Sequence, residues 1–211
     1  MKPAPVCGVC GAPCRPPFRA PTGELAPDLD GRPGEPARST LHRWVATCRK
    51  CRASAPDLAA VPQQAETVIR EAEYQGVGNP FLRWAMICEA LGRPADAAEA
   101  FLWAAWAADD AGRDATALRQ RAASLWQGDP LRRIDIMRRA GDFADADAFA
   151  GSLTGLDEPA ERIVAFQRER IRAGDSARHL ISSALRPPAH TPHATHGKRQ
   201  APGLLGRLFG R

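Results

Sequence analysis

The residues of this chain best equipped for chemistry are its cysteines. Four of the six form two Cys-x-x-Cys pairs, Cys7/Cys10 and Cys48/Cys51, separated by 37 residues. Each pair sets two thiols on one tight turn, and two such turns facing each other make a tetrahedral four-sulfur site that suits Zn²⁺. A rubredoxin-like iron centre uses the same ligand set, so spacing alone leaves both metals open. A thioredoxin-type redox pair belongs to a βαβ context that the chain lacks. Four thiolates close the coordination sphere and leave no position for an activated water, which predicts one structural Zn²⁺ rather than a catalytic one. Cys14 reads as a small residue packed beside the first knuckle, with a spare ligand as the alternative, and Cys88 as a core residue of a helix. His42 is a poorer ligand candidate than the four well-spaced cysteines.

A second set of candidates is basic. Arg43, Arg49, Lys50 and Arg52 crowd the second pair, with Arg38 nearby. They are candidate nucleic-acid contacts, because phosphate neutralisation needs clustered Lys and Arg. The competing role is to offset the negative charge of a metal–thiolate unit. Phe18 and Trp44 are the ribbon's only aromatic residues, too few for a base-stacking platform. A third set is aromatic: Trp103 and Trp106, three apart and so on one helix face, are candidates for a peptide groove, with core packing as the alternative. No nucleophile–base pair, phosphate-cradling glycine loop or helical metal-ligand motif is present, which predicts a protein that is not an enzyme. Asp109, Asp110, Asp145 and Asp147 read as acidic helix-surface residues.

The elements that must position these residues separate by composition. Residues 1–56 are rich in Pro, Gly, Cys and Arg and read as a zinc ribbon, with a β-like alternation over 41–47 and turns at 21–24 and 30–34. Such a module has too small a core to hold itself, so metal binding would supply folding energy. Residues 57–185 are Ala-rich and read as an all-α domain, with helices over 63–74, 80–91, 95–111, 114–127, 131–140, 142–153, 158–173 and 176–185. Asn79-Pro80 is an N-cap followed by Pro at the first helical position, and Gly92, Gly112, Gly141 and Gly174 read as stops. The recurrence of helix end, Gly, short turn and small-residue helix start gives degenerate tetratricopeptide (TPR)-like hairpins. Residues 186–211 read as a disordered basic tail, with a His/Pro-rich linker containing His190, His193 and His196 and a short apolar-basic end over 204–211. The fold class is therefore mainly α, with a small N-terminal zinc ribbon of short β structure.

Charge follows the same division. Residues 1–56 carry 9 Lys/Arg against 4 Asp/Glu, residues 57–185 carry 15 against 20, and the tail carries 5 basic residues and no acidic one. Any nucleic-acid contact therefore belongs to the two ends. No run approaches a membrane span, and the N-terminus shows no apolar leader. With cysteines in metal-ligand spacing, these features predict a reducing, cytoplasmic setting.

The chain resembles a bacterial family of unknown function that pairs an N-terminal double Cys-x-x-Cys ribbon with TPR-like helices. The resemblance rests on Cys7-Gly8-Val9-Cys10-Gly11, the insert Thr22-Gly23-Glu24 to Asp28-Leu29-Asp30-Gly31-Arg32-Pro33, and Trp44 ahead of Cys48. It continues in Ala55-Pro56-Asp57-Leu58 and in the stretch from Ala100 to Asp110. It implies the fold and the metal but no activity. Two positions depart from it: Cys14 replaces an apolar residue, and Arg52 stands where a glycine would follow the second pair. A non-glycine residue at positive φ costs on the order of 1 kcal/mol. Together these readings predict a zinc-binding protein-interaction adaptor with a protein partner. The alternative is a nucleic-acid-binding factor using the basic ribbon and tail.

Overall fold

The computed structural model describes residues 4–185, and the expectations for the tail, including His190, His193, His196 and residues 204–211, lie outside them. The protein is mainly helical, with one two-stranded antiparallel sheet near its N-terminus. Strands β1 (Ala46–Thr47) and β2 (Ser54–Ala55) pair Ala46 with Ala55 and Thr47 with Ser54, flanking the second cysteine pair. The helices follow as α1 (Glu66–Arg70), α2 (Ala72–Gly76), α3 (Pro80–Ala90), α4 (Pro94–Asp110), α5 (Thr116–Leu125), α6 (Pro130–Arg139), α7 (Phe143–Ser152), α8 (Glu158–Arg172) and α9 (Ile181–Leu185). From α3 onward, each helix packs on the next. Among the described residues no helix is long and apolar enough to cross a membrane.

Local chemistry explains most helix boundaries. The Asn79 side chain accepts hydrogen bonds from the N–H groups of Phe81 and Leu82, and Pro80 opens α3 without wasting a donor. At the other end Gly92 takes φ +65°, and the Arg93 N–H reaches back to the Cys88 carbonyl at 2.8 Å. The same six-to-one closure ends α4, α6 and α8, each time after a positive-φ glycine.

Three expected elements are different in the structure, each for a tertiary reason. The helix expected over 63–74 is split, because Glu71 adopts an extended ψ of 141° between α1 and α2. The break turns Tyr74 fully inward, where its hydroxyl accepts from the Ser54 N–H and donates to the Arg52 carbonyl, each at 3.1 Å. The strand expected over 41–47 is mostly a 3₁₀ turn, Arg38–Arg43, with β structure only at Ala46–Thr47. Thr40 caps that turn on the Ala37 carbonyl and takes the Trp44 indole N–H at 3.0 Å, which competes with extended backbone. The last helix shrinks to α9, because residues 179–181 pair with the insert instead. Leu29 N–H donates to the His179 carbonyl and Ile181 N–H to the Pro27 carbonyl.

The ribbon and the helices share one core. It runs from Cys7, Val9, Leu41 and Cys48 through Leu58, Tyr74, Phe81 and Ile87 to Leu102, Trp106 and Ile136. A second cluster joins α6, α7 and α8 around Ile134, Ala146 and Val164.

The insert between the two cysteine pairs reaches across the helices and is clamped by charge. Asp30 is fully buried; its carboxylate accepts from the Trp106 indole at 2.9 Å and from Arg139 at 2.7 Å. Its backbone carbonyl accepts from Arg132 at 2.9 Å, and Arg132 also holds Glu99. Arg32, itself buried, pairs with Asp110 at 2.6 Å, and Asp28 pairs with Arg38. Gly31 sits at φ +84°, a conformation that favours glycine, and a Cβ there would lie 2.3 Å from the Arg132 Nε, so a side chain would displace Arg132. Burial pushes the Asp28 carboxyl up despite Arg38. Burial also opposes ionisation of Asp109, but Arg119 and Arg139 outweigh it and hold that carboxyl low. Asp109 and Asp110, expected as plain surface residues, are therefore ion-pair acceptors for α5, α6 and the insert.

Candidate metal centre

The two knuckles are built by the same backbone bonds. In the first, Cys7 N–H donates to the Ala12 carbonyl and Gly11 N–H to the Cys7 carbonyl, both at 2.8 Å. In the second, Cys48 N–H donates to the Ala53 carbonyl at 2.8 Å and Arg52 N–H to the Cys48 carbonyl at 2.9 Å. Gly11 and Arg52 close their turns at φ +68° and +65°. Arg52 thus adopts the left-handed conformation that its place after the second pair demands, and pays for it with strain on the order of 1 kcal/mol. Tyr74 holds the strained residue through its carbonyl. Gly8 is fixed by a different constraint: a Cβ there would lie 2.2 Å from the Val61 carbonyl, so the first knuckle lies flat on the segment after β2.

Folding brings the four sulfurs together. Cys7 Sγ lies 3.8 Å from Cys51 Sγ, Cys10 Sγ lies 3.7 Å from Cys48 Sγ, and all four sulfurs lie within 4.8 Å of one another. A regular tetrahedron with metal–sulfur bonds of about 2.3 Å has edges of about 3.8 Å. A disulfide needs about 2.05 Å, and all six cysteines are free. The donor set therefore fits a metal ion rather than two bridges.

The electrostatics agree with the geometry. Burial pushes the Cys7 and Cys51 thiols up, against backbone N–H groups that favour their thiolates. Burial also opposes ionisation of Cys48, but the N–H groups of Cys51 and Lys50 and neighbouring thiols bring it down to about 7. One thiolate thus forms readily, while a cluster this close resists carrying four negative charges. A cation at its centre removes that penalty.

The other candidates fall elsewhere. Cys14 lies outside the four-sulfur group, lining a recess of about 500 Å³ with Cys48 and Arg49. Cys88 is fully buried within α3, where burial pushes its thiol up to about 12. His42 is exposed and outside the group. Arg43, Arg49, Lys50 and Arg52 are all exposed on the ribbon surface.

Of the two readings of Trp103 and Trp106, core packing holds for Trp106. Trp106 is 2% exposed and spends its indole N–H on Asp30, so it cannot line a surface groove. Trp103 packs edge-on against Trp44 at 5.5 Å and Phe81 at 6.4 Å. Trp44 also meets Trp106 edge-on at 6.2 Å, so the cluster joins the ribbon to α4. Sequence reasoning missed the Asp28–Arg32 clamp, whose only local signal is a turn-like Asp-Gly pair inside the insert. It also missed Arg15, Phe18 and Arg19 as neighbours of Arg43.

Searches against protein-family models, curated proteins and solved structures gave no match to the chain.

Proposed function

We propose that the protein is a non-catalytic adaptor of the cytoplasm, in which a structural Zn²⁺ staples the ribbon and TPR-like hairpins present a surface to a protein partner. The observation that carries this reading is the closed four-sulfur arrangement built into the same core as the helices. Cys7, Cys10, Cys48 and Cys51 would hold the metal, which supplies a cross-link between two chain segments. With every ligand position taken by sulfur, no place remains to activate water. The insert clamp gives the ribbon a fixed seat on α4 and α6, so the metal stabilises the surface as a whole.

Capture from a cell extract of the parent organism tests the adaptor role. The immobilised full chain should retain a defined protein that Cys48→Ser retains at least about tenfold less well. Retention of nothing beyond background by the metal-loaded chain contradicts it.

A further inference from the structure

The ribbon carries cationic side chains that neither the metal nor the fold accounts for. Among the described residues, Arg15, Arg19, Arg43, Arg49, Lys50 and Arg52 make no ion pair with a carboxylate, whereas most arginines of the helical body do. A four-thiolate zinc unit is doubly negative, so these six cations outnumber the charge they would offset. Any two of Arg49, Lys50 and Arg52, which sit in or next to the second knuckle, meet that offset, so four of the six cations remain over.

Arg15, Arg19, Arg43 and Arg49 line two adjoining concavities. A recess of about 740 Å³ is walled by Arg15, Phe18, Arg19 and Arg43, and it shares Arg15 and Ala46 with the recess beside Cys48 and Arg49. The Arg43 guanidinium lies over the Phe18 ring at 4.1 Å, which fixes its plane without using its hydrogen-bond donors. The two recesses meet at Arg15 and Ala46 and together make a furrow whose forked donors pair with no carboxylate. Guanidinium groups of this kind pair with phosphate oxygens.

We infer that this furrow binds the sugar–phosphate backbone of a nucleic-acid strand. The concave shape suits a strand rather than a flat lipid surface. With Phe18 covered by Arg43 and Trp44 packed against α4, contact is through phosphates and not by base stacking. The acidic helical body repels a polyanion and confines it to the ribbon. This surface is independent of the adaptor reading, and either can fail alone.

The test is fluorescence anisotropy of the full chain with a labelled single-stranded oligonucleotide of about 20 residues, over a salt series. Four phosphate contacts on a single strand predict an affinity loss of about 50-fold between roughly 50 and 200 mM salt. Arg15→Gln, Arg19→Gln, Arg43→Gln and Arg49→Gln combined should weaken binding at least about tenfold at the lower salt and flatten the salt slope by up to about three. Arg113→Gln with Arg172→Gln, exposed cations of the helical body, should leave both unchanged. Metal content and melting temperature, unchanged in the fourfold variant, show that its fold is intact. No binding at low salt, equal binding by the fourfold variant, or preference for anionic lipid vesicles over the oligonucleotide each overturns the inference.

Discussion

Cys48→Ser should unfold the ribbon end of the protein and weaken the whole of it. Structural Zn²⁺ sites contribute apparent binding free energies of about 10–16 kcal/mol in small modules, and a whole domain is stable by only about 5–15 kcal/mol. Cys48 lies in the core shared with Leu58, Tyr74 and the α3–α4 pair, so its loss reaches past the knuckle. Hydrogen exchange should show protection lost from residues 44–58 and lowered in α3, with α6 to α8 retaining more through their separate cluster. A strong chelator added to the parent protein should reproduce the pattern, and Cys14→Ser should not, because Cys14 lies outside the four-sulfur group. Unchanged exchange in Cys48→Ser would mean that the helices alone hold the ribbon in place.

The second large effect is expected at Asp30, far from the metal. Asp30→Ala strips a partner from Arg139, from the Trp106 indole and from the Arg32 N–H, all in a buried site. Breaking a buried pair from one side costs about 3–5 kcal/mol. Arg139 keeps Asp109 at 2.7 Å, which places the expected loss near the lower end, about 3 kcal/mol. Urea denaturation measures it, with Glu66→Ala as the comparison. Glu66 pairs with exposed Arg70 one helical turn away, so its removal should cost under about 0.5 kcal/mol. Similar losses for the two variants would show that the clamp does not seat the insert. The order of the two large effects follows from coordination: a metal held by the four cysteines would cross-link two segments, while the clamp seats one loop.

What was legible in the sequence was local. The four clustered cysteines could be read because residue type and spacing define a knuckle without reference to the rest of the chain. The positive φ of Arg52 was implied by the family resemblance, which has a glycine after the second pair, and the bounds of α3 followed from Asn79, Pro80 and Gly92. What was not legible depends on distant partners. The extended reading of 41–47 failed because alternation says nothing of Thr40 capturing the Trp44 indole. The continuous helix over 63–74 failed because Tyr74 turns back to the second knuckle, 20 and 22 residues away. The insert clamp was invisible for the same reason on a larger scale: Asp30 meets Arg139 across 109 positions and Arg32 meets Asp110 across 78. The tryptophans illustrate both sides, since helical spacing placed Trp103 and Trp106 on one face but could not show Trp44 packed against that face.

The staple itself is tested most directly by native mass spectrometry of the purified full chain with elemental analysis of the same sample. One zinc per folded chain, absent from Cys48→Ser, is the predicted result; iron in equal amount would keep the staple and change the metal. A folded, metal-free chain whose four clustered thiols, Cys7, Cys10, Cys48 and Cys51, react freely would contradict the account.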